Sequence, residues 1–346
     1  MSPATVSGQP ISNLLTVIIA TSPTPSAPST ELISAILTSF RNYCVSLLSC
    51  RVVVVFDTYD RITSHARLKK GRVTTDGATT FDLYKQNVKD LILNEFIGNE
   101  GQRSLTQSRG EAEFGYSGVE TNVVPFSLSQ TTDNRVIFIE PLKRLGFGLA
   151  VRTALRSTET PFVWVQQHDW PLVSDIPLAP LLGIMQATET DENTPVKYVC
   201  FPSVRLLSYA ESAHVVQFPM LKELTASLKR KFPTESGVRV PLTPMFFWHD
   251  KPHLASAKHY LSRVFPTRLS ILRGSFIEDT IGHRARNQMK EGDWAKWATW
   301  LYYPDDGRRL CLRHLQGRTW EGAEKESEKK AFWRERNAQF TVGQRN

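Results

Sequence analysis

Two continuous apolar runs near the beginning of the chain predict buried β-strands. Residues 14–20 read LLTVIIA and residues 52–56 read VVVVF, and runs of this kind are typical of strands that are buried on both faces. Between them, apolar side chains recur at three- and four-residue intervals from Leu32 to Tyr43, which predicts an amphipathic helix. A strand, a helix and a strand within about fifty residues predict a βαβ unit with parallel strands and a right-handed crossover.

The same two patterns continue through most of the chain. The further strands that they predict are 136–139, 162–165, 198–202 and 245–248, and the further helices are 81–96, 147–157, 176–186, 221–231 and 253–264. Between 97 and 134, a stretch rich in Gly, Ser, Thr and Gln is typical of loops. The alternation of strands and helices predicts an α/β fold with an open, mostly parallel (mixed) sheet that helices flank.

The polar and charged ends of the chain suggest how it is divided. Residues 1–13 are polar and contain Pro and Gly, so we expect a short disordered lead. The patterned region forms a single large domain, 14–320, with one half at about 14–175 and the other at about 176–320. Residues 321–346 carry nearly balanced charges and predict a charged helical tail.

Composition narrows the class of protein. Of the 346 residues, 41% are hydrophobic and 22% are charged, which is typical of a globular chain. Four cysteines are too few and too scattered for a disulfide framework or a CxxC zinc site. No apolar run approaches the ~20 residues of a membrane span, and the N-terminus lacks the regions of a signal peptide. We therefore expect a cytoplasmic protein with no membrane span.

The formal net charge of +8 is compatible with an anionic partner but does not identify one. Basic clusters occur at 67–72 and 229–231, and neither is interleaved with aromatic residues as a nucleic-acid platform would be. We therefore expect no nucleic-acid partner. The sequence also lacks a P-loop and an HExxH motif, and the GxG at 146–148 has no third glycine.

Polar residues follow three of the predicted strands at the point where each strand ends. Thr21 and Ser22 follow the first, Asp57 follows the second, and His168 and Asp169 follow the strand at 162–165. A single aspartate at a strand end is commonly a turn or helix cap. Because the carboxyl ends of parallel strands meet at one edge of the sheet, the three ends together favour a nucleotide or metal site.

A series of short motifs extends this pattern along the chain. In order they are Thr16 to Thr21, Asp57, the glycine-then-arginine helix Gly146 to Leu155, the strand Val163 to Asp169, Gly274 to Asp279, and Leu312 to Leu315. In this order and spacing they resemble the GT-A-type nucleotide-sugar glycosyltransferases, most of all family-2-like enzymes, over roughly residues 14–318. The resemblance implies a GT-A-like fold and a nucleotide-diphosphate sugar as the donor.

For the donor site, the resemblance implies one set of nucleotide-binding residues and one set of metal ligands. The nucleotide-binding residues are Thr21, Ser22, Asp57 and Arg152, and Arg313 and Arg318 are further candidates for contacts with the phosphates. Asp169, with His314 as co-ligand, is expected to bind a divalent metal, Mn²⁺ or Mg²⁺. Gln167-His168-Asp169 replaces the family's Asp-x-Asp, and the loss of one carboxylate weakens a site for a hard cation.

For the acceptor site, the resemblance implies a catalytic carboxylate and aromatic contacts. Asp279 is expected to remove the proton from the acceptor hydroxyl, and Glu278 is the alternative for that role. Trp170 and Trp248 are candidates for contacts with the sugar or the acceptor, although each also suits a core aromatic. A carboxylate base implies inversion at the anomeric carbon. The acceptor is a glycan, a protein or a small molecule.

Two other functions compete with glycosyl transfer. A glycosyltransferase-like protein that binds a nucleotide sugar without turnover is compatible with the altered Gln167-His168-Asp169 motif. A nucleotidyltransferase would use a similar sheet, but it normally carries a glycine- and lysine-rich loop after the first strand. The residues at 21–25 read TSPTP and contain neither glycine nor lysine.

Overall fold

The computed structural model of the protein describes residues 4–98 and 104–343, with side chains described as far as residue 334. Most of its strands belong to one large mixed sheet. The strands are β1 (Thr5–Val6), β2 (Gln9–Pro10), β3 (Leu15–Thr21), β4 (Arg51–Phe56), β5 (Arg61–Ile62), β6 (Arg72–Val73), β7 (Leu105–Glu113), β8 (Val123–Thr131), β9 (Val136–Pro141), β10 (Phe162–Gln167), β11 (Tyr198–Cys200), β12 (Arg230–Pro233), β13 (Arg239–Pro244), β14 (His253–Ser256) and β15 (Thr299–Tyr302).

Helices connect the strands and pack against the sheet. They are α1 (Ile11–Leu14), α2 (Glu31–Tyr43), α3 (Thr75–Phe96), α4 (Phe147–Arg156), α5 (Leu178–Ala187), α6 (Ala213–Val216), α7 (Pro219–Leu228), α8 (Ala257–His259), α9 (His283–Lys290), α10 (Trp294–Trp297) and α11 (Ala323–Gly343). A π-helical turn, Tyr260–Val264, continues α8, and another, Glu278–Gly282, leads into α9. Among the described residues, no helix has both the length and the apolar character needed to cross a bilayer.

The core of the large sheet is parallel, as the apolar runs predict. Its strand order is β12-β13-β15-β11-β14-β10-β3-β4-β9-β8-β7, and the four strands from β10 to β9 are mutually parallel. All seven residues of β3 are buried, which explains why its sequence is continuously apolar and β-branched. Antiparallel strands extend the sheet on both sides of this core. The predicted α/β fold with an open, mixed sheet is therefore confirmed.

The long polar stretch after α3 differs from its prediction as loops. Strands β7 and β8 pair antiparallel over nine positions, and β8 pairs with β9 at the end of the sheet. Most residues of β7 are exposed, because it is an edge strand that buries neither face completely. Its sequence therefore lacks the apolar alternation that would reveal a strand. Residues 99–103 of the predicted loop lie outside the described residues.

The strand predicted at 245–248 lies earlier in the chain. It is β13, Arg239–Pro244, which contains two prolines, and proline lacks the N–H that a strand donates. Met245 and Trp248 are buried, so their apolar character reflects the core rather than a strand. Likewise, the helix predicted at 253–264 begins as strand β14 and becomes helical only at Ala257.

From residue 4 onwards, the beginning of the chain also differs from the expected disordered lead, whereas residues 1–3 lie outside the described residues. β1 and β2 form a small antiparallel hairpin, and α1 leads directly into β3. Val6, Ile11 and Leu14 are buried in the same core as the sheet. Three apolar side chains separated by polar residues are too sparse for either periodic pattern, so the sequence does not reveal that this segment packs.

Candidate functional site

A cleft of about 640 Å³ lies at the carboxyl edge of the parallel strands. The ends of β3, β4 and β10 form its floor and bring Thr21, Asp57 and Asp169 to one place, although they are far apart in sequence. We call Thr21, Asp57, Arg144, Asp169 and Arg318 the strand side of the cleft. Strands that run parallel end at the same edge, so the βαβ order of the sequence is what creates this site.

Segments without regular sheet structure also line the cleft. Ser203 and Arg205 come from the segment after β11, Asp250 and Lys251 precede β14, and Glu278 begins the turn before α9. We call these five residues the loop side. The cleft therefore has one wall that the sheet positions and one that depends on packing between distant loops.

The end of β3 is held by a buried histidine. Thr21 Oγ1 lies 2.8 Å from His168 Nδ1 and 2.7 Å from the hydroxyl of Tyr84. The backbone N–H of Ser22 donates to the same His168 nitrogen at 3.4 Å. Burial lowers the pKa of His168, so the ring is neutral at neutral pH and its Nδ1 can accept these bonds. His168 thus positions the loop after β3.

Asp57 uses both carboxylate oxygens to hold the loop before α4. Oδ1 accepts from the backbone N–H of Leu145 at 2.6 Å, and Oδ2 accepts from Gly146 at 3.0 Å. Gly146 has a φ of +82°, and a Cβ there would meet the backbone of Gly274 at 2.4 Å, so only glycine fits. Burial raises the pKa of Asp57 to about 6. Asp57 lines the cleft and also fixes the loop before α4.

Asp169, like Asp57, is a buried carboxylate on the strand side. Its Oδ2 accepts from the backbone N–H of Gly317 at 2.8 Å and lies 3.1 Å from His314 Nε2. Its Oδ1 is buried and has no hydrogen-bond partner among the described residues. Burial alone would raise the pKa of Asp169, but the bond to His314 and the charges nearby lower it overall. Asp169 is therefore ionised at neutral pH.

A C-terminal segment crosses the strand end and closes this part of the cleft. The backbone N–H of Leu315 donates to the carbonyl of Asp169 at 2.8 Å, and that of Arg313 donates to Pro171 at 3.1 Å. At Gly317, a Cβ would lie 2.7 Å from His168 Nε2 and 3.1 Å from Asp169 Cβ. Glycine at this position lets the segment approach closely enough to donate its N–H to the carboxylate.

A divalent metal can find two protein ligands here. Among the described residues, no group of three or more His, Cys, Asp and Glu is placed to hold an ion. Asp169 and His314 are adjacent, and the unpartnered Oδ1 of Asp169 is a carboxylate oxygen of the kind that Mg²⁺ and Mn²⁺ prefer. The pair fits a metal that takes its remaining ligands from a diphosphate and water, as Mg²⁺ commonly does beside one or two carboxylates.

An aromatic platform connects the two sides of the cleft. The rings of Trp170 and His314 stack at 4.3 Å with an interplanar angle of 9°. The ammonium of Lys251 lies 5.9 Å from the centre of the Trp170 ring, within the range of a cation–π contact. Trp170 is half-buried and lines the cleft, so it presents an aromatic surface to whatever binds there.

Glu278 and Asp250 form reciprocal hydrogen bonds on the loop side, each from a backbone N–H to the other's carboxylate. The backbone N–H of Glu278 donates to Asp250 Oδ2 at 3.2 Å, and that of Asp250 donates to Glu278 Oε2 at 3.4 Å. His249 Nδ1 lies 3.5 Å from the same Glu278 oxygen. Burial alone would raise the pKa of Glu278, but the contact with His249 and the charge of Lys251 contribute to lowering it overall. Burial raises the pKa of Asp250 well above its usual range.

Positive side chains lie on both sides of the cleft. The basic residues that line it are Arg72, Arg144, Arg205, Lys251 and Arg318. Among the described residues, none of the five forms an ion pair with a carboxylate. Unpaired cations at the edge of a partly buried cleft favour an anionic ligand, because each charge is incompletely screened there.

Four of the residues predicted from the sequence do not line the cleft. Arg313 is exposed and is not among the residues that line it. Asp279 is exposed beside it, although its charge acts on Arg318. Arg152 lies at a second, smaller cleft beside β7, where it donates to the carbonyl of Glu113 at 3.1 Å. Trp248 is fully buried in an aromatic cluster with Tyr198 and other core rings. A helix or strand assignment gives the position of such residues but not the direction of their side chains.

Four of the five cations of the cleft were not assigned to the site from the sequence. Arg72 was identified only as part of the basic cluster at 67–72. Arg144 lies between β9 and Gly146, so a more careful reading of strand ends would have found it. Arg205 and Lys251 lie in loops, and Lys251 follows a region whose strand was predicted in the wrong place. No local pattern in the sequence indicates that these two loops meet.

No protein-family model and no curated protein matches the sequence. Solved structures do match most of the chain, at low sequence identity. The crystal structure of S. aureus TarS matches with a TM-score of 0.41 and 9% identity, over 86% of this chain and 59% of that chain.

Two further matches are enzymes solved with nucleotides and manganese. The mannosyltransferase PcManGT from Pyrobaculum calidifontis, in complex with GDP-Man and Mn²⁺, matches with a TM-score of 0.35 and 14% identity, over 85% of this chain and 58% of that chain. Glucosyl-3-phosphoglycerate synthase from Mycobacterium tuberculosis, in complex with Mn²⁺, UDP and glucosyl-3-phosphoglycerate, matches with a TM-score of 0.31 and 12% identity, over 73% of this chain and 60% of that chain. The chain thus spans less than two thirds of the length of each of these proteins.

Proposed function

We propose that the protein is a glycosyltransferase that moves a sugar from a nucleotide-diphosphate donor to an acceptor hydroxyl. The observation that carries the proposal is the meeting of Asp57, Asp169 and Glu278, together with unpaired cations, in one cleft. Glycosyl transfer needs a site that neutralises the departing diphosphate and a base that receives the proton of the acceptor. The two sides of the cleft offer these two functions separately.

The strand side is suited to the nucleotide diphosphate. Arg318 supplies positive charge near Asp169 and Arg144 supplies it near Asp57, and neither forms an ion pair with a carboxylate of the described chain. Their charges would stabilise the diphosphate as the bond to the sugar breaks. Thr21 and Ser22 follow β3 at the same edge, and Asp57 holds the loop before α4 against them. Tyr59, which lines the same wall, offers a ring on which a base can stack.

A divalent metal would be held by Asp169 and His314. When bound, it would neutralise charge on the diphosphate as a Lewis acid. The protein's own residues prepare this position, because Gly317 and His314 orient Asp169 while its Oδ1 remains unpartnered. The stacking of His314 on Trp170 holds the plane of the imidazole parallel to the indole.

On the loop side, Glu278 is best placed to accept the proton of the acceptor hydroxyl. It lines the cleft, whereas Asp279 is exposed outside it. The contacts with His249 and the backbone N–H of Asp250 keep Glu278 ionised and fix its carboxylate. A carboxylate base supports direct displacement at the anomeric carbon, which inverts its configuration. Trp170 offers a flat surface for the sugar between the two sides.

A binding protein without turnover is the second candidate. It is favoured by the absence, among the described residues, of a metal site with three protein ligands. The ionised Glu278 on the loop side favours catalysis instead, because a binding protein has no need of a base beside the nucleotide. A nucleotidyltransferase is less well supported, since the loop after β3 lacks the basic residues and glycines of a phosphate-binding loop.

A donor panel separates the three functions. The protein is incubated with UDP- and GDP-sugars and Mn²⁺ against a panel of alcohols, and free nucleoside diphosphate is measured. We expect acceptor-dependent release of UDP or GDP in the wild type, with Glu278→Gln as the inactive control. Release of pyrophosphate from nucleoside triphosphates would indicate a nucleotidyltransferase. Binding of a nucleotide sugar without release in any combination would indicate the binding protein.

A further inference from the structure

Four of the five cations that line the cleft can be divided into two pairs by the charges that act on them. The charges that act on Arg318 are those of Asp169, Arg144 and Asp279. By contrast, the charges that act on Lys251 include those of Glu278 and Arg205. Arg144 and Arg318 thus belong to the strand side, and Arg205 and Lys251 belong to the loop side. A donor diphosphate on the strand side leaves the second pair without an anion.

The loop-side pair is accompanied by a hydroxyl that lacks a partner. Ser203 is only 3% exposed, and its Oγ has no hydrogen-bond partner among the described residues. It lines the cleft two positions before Arg205, which is exposed at the rim. A buried polar atom without a partner is uncommon in folded proteins and suggests that a bound group normally satisfies it.

Lys251 is held in place without being neutralised. Its ammonium lies over Trp170, and within the described chain no carboxylate comes within ion-pair distance of it. Burial lowers the pKa of Lys251 from its ordinary value because desolvation disfavours the charged form of an amine, and the charge of Arg205 lowers it further. An anion between Lys251 and Arg205 would remove this cost. A hydroxyl, an ammonium and a guanidinium together are a suitable donor set for phosphate or carboxylate oxygens.

We propose that the acceptor is an alcohol that carries an anionic group, a phosphate or a carboxylate, and that this group binds Ser203, Arg205 and Lys251. The inference rests on the proposed function, because it assigns the loop side to the acceptor. Glu278 lies on the same side, so an acceptor anchored by its anionic group presents its hydroxyl near the base. The exposed position of Arg205 at the rim leaves room for a larger acceptor to extend into solvent.

The test uses matched small alcohols as probes. The protein is first saturated with UDP or GDP in the presence of Mn²⁺, so that the strand side is occupied. Glycerol 3-phosphate, glycerate and glycerol are then titrated at constant ionic strength, and binding is measured by calorimetry. We expect glycerol 3-phosphate or glycerate to bind at least about 10-fold more tightly than glycerol, since charge-assisted hydrogen bonds are the stronger ones. The two anionic probes distinguish a phosphate from a carboxylate.

Variants show whether Arg205 and Lys251 are responsible for the preference for anionic alcohols. In the double variant Arg205→Gln/Lys251→Gln, the preference for the anionic probe should disappear while the affinity for the nucleotide remains within about twofold. Lys222→Gln, which removes one positive charge from the exposed face of α7, should behave like the wild type. The inference would be overturned if the wild type bound glycerol as tightly as both glycerol 3-phosphate and glycerate, or if the double variant kept the preference for the anionic probe.

The same experiment gives a different result if the proposed function itself is wrong. In that case no nucleoside diphosphate would bind in the first step, before any alcohol is added. If a nucleotide binds and the anionic alcohols do not, the acceptor assignment alone is wrong. A double variant that binds the nucleotide normally is folded, so a loss of anion binding in it reports on the loop side.

Discussion

The two sides of the cleft are built in different ways. On the strand side, Asp57 and Asp169 follow buried parallel strands, and each carboxylate accepts hydrogen bonds from backbone N–H groups. On the loop side, Arg205 and Lys251 come from separate loops and lack ion pairs within the described chain. The strand side is therefore stabilised by the fold itself, whereas the loop side carries charges that a ligand must satisfy. We infer that substitutions on the strand side affect both folding and nucleotide binding. Substitutions on the loop side should affect mainly the binding of the acceptor.

The largest loss of activity should follow substitution of Glu278, the proposed base. Glu278→Gln keeps the size of the side chain but removes its ability to accept a proton, so transfer should fall by about 10²- to 10⁴-fold. The affinity for the nucleoside diphosphate, measured by calorimetry, should change little because Glu278 lies on the loop side. Asp279→Asn is the matched control, since Asp279 is exposed beside the cleft. If Asp279→Asn loses activity and Glu278→Gln does not, the two residues have the opposite roles.

The second largest effect should be a loss of affinity for the nucleotide when Asp169 is substituted. Asp169→Asn replaces a carboxylate whose Oδ1 is unpartnered, so nucleoside diphosphate should bind about 10- to 100-fold more weakly in the presence of Mn²⁺. Treatment of the wild type with EDTA should produce part of the same loss. Asp90→Asn changes an exposed carboxylate on α3 and serves as the control. Equal affinities of Asp169→Asn and the wild type would remove Asp169 from the nucleotide site.

Substitution of Asp57 should show how much this strand-side carboxylate contributes to the stability of the fold. Asp57→Asn leaves one acceptor oxygen for two backbone donors, those of Leu145 and Gly146, so a buried N–H loses its partner. We expect the free energy of unfolding to fall by about 1–3 kcal/mol. Urea denaturation at neutral pH measures this change. Unaltered stability would mean that the loop before α4 does not depend on this carboxylate.

The smallest effect is a shift in pH dependence. The contact with His249 is one of the causes that lower the pKa of Glu278, so His249→Ala should raise that pKa. The base is active when ionised, and activity is lost as the pH falls through its pKa. The acid limb of the kcat/KM profile should therefore move to higher pH in His249→Ala. A limb that stays in place would show that another group titrates, or that His249 does not act on Glu278.

The sequence predicts the strand side better than the loop side for a physical reason. Continuous apolar runs reveal parallel strands, and parallel strands end together, so Asp57 and Asp169 could be placed at one edge from their order alone. The directions of Arg152 and Trp248 were not predictable in this way, because a helix or strand assignment does not show which neighbours a side chain meets. Arg205 and Lys251 meet only through tertiary packing of two loops, for which the local sequence has no periodic pattern.

The central claim is that one cleft holds the donor diphosphate on its strand side and the acceptor on its loop side. A crystal structure of Glu278→Gln grown with UDP or GDP and Mn²⁺ tests it most directly. We predict that the diphosphate lies between Asp169 and Arg318, with the cleft beside Glu278 left open for the acceptor. A nucleotide bound at any other surface, or a diphosphate that fills the position between Arg205 and Lys251, would contradict this account.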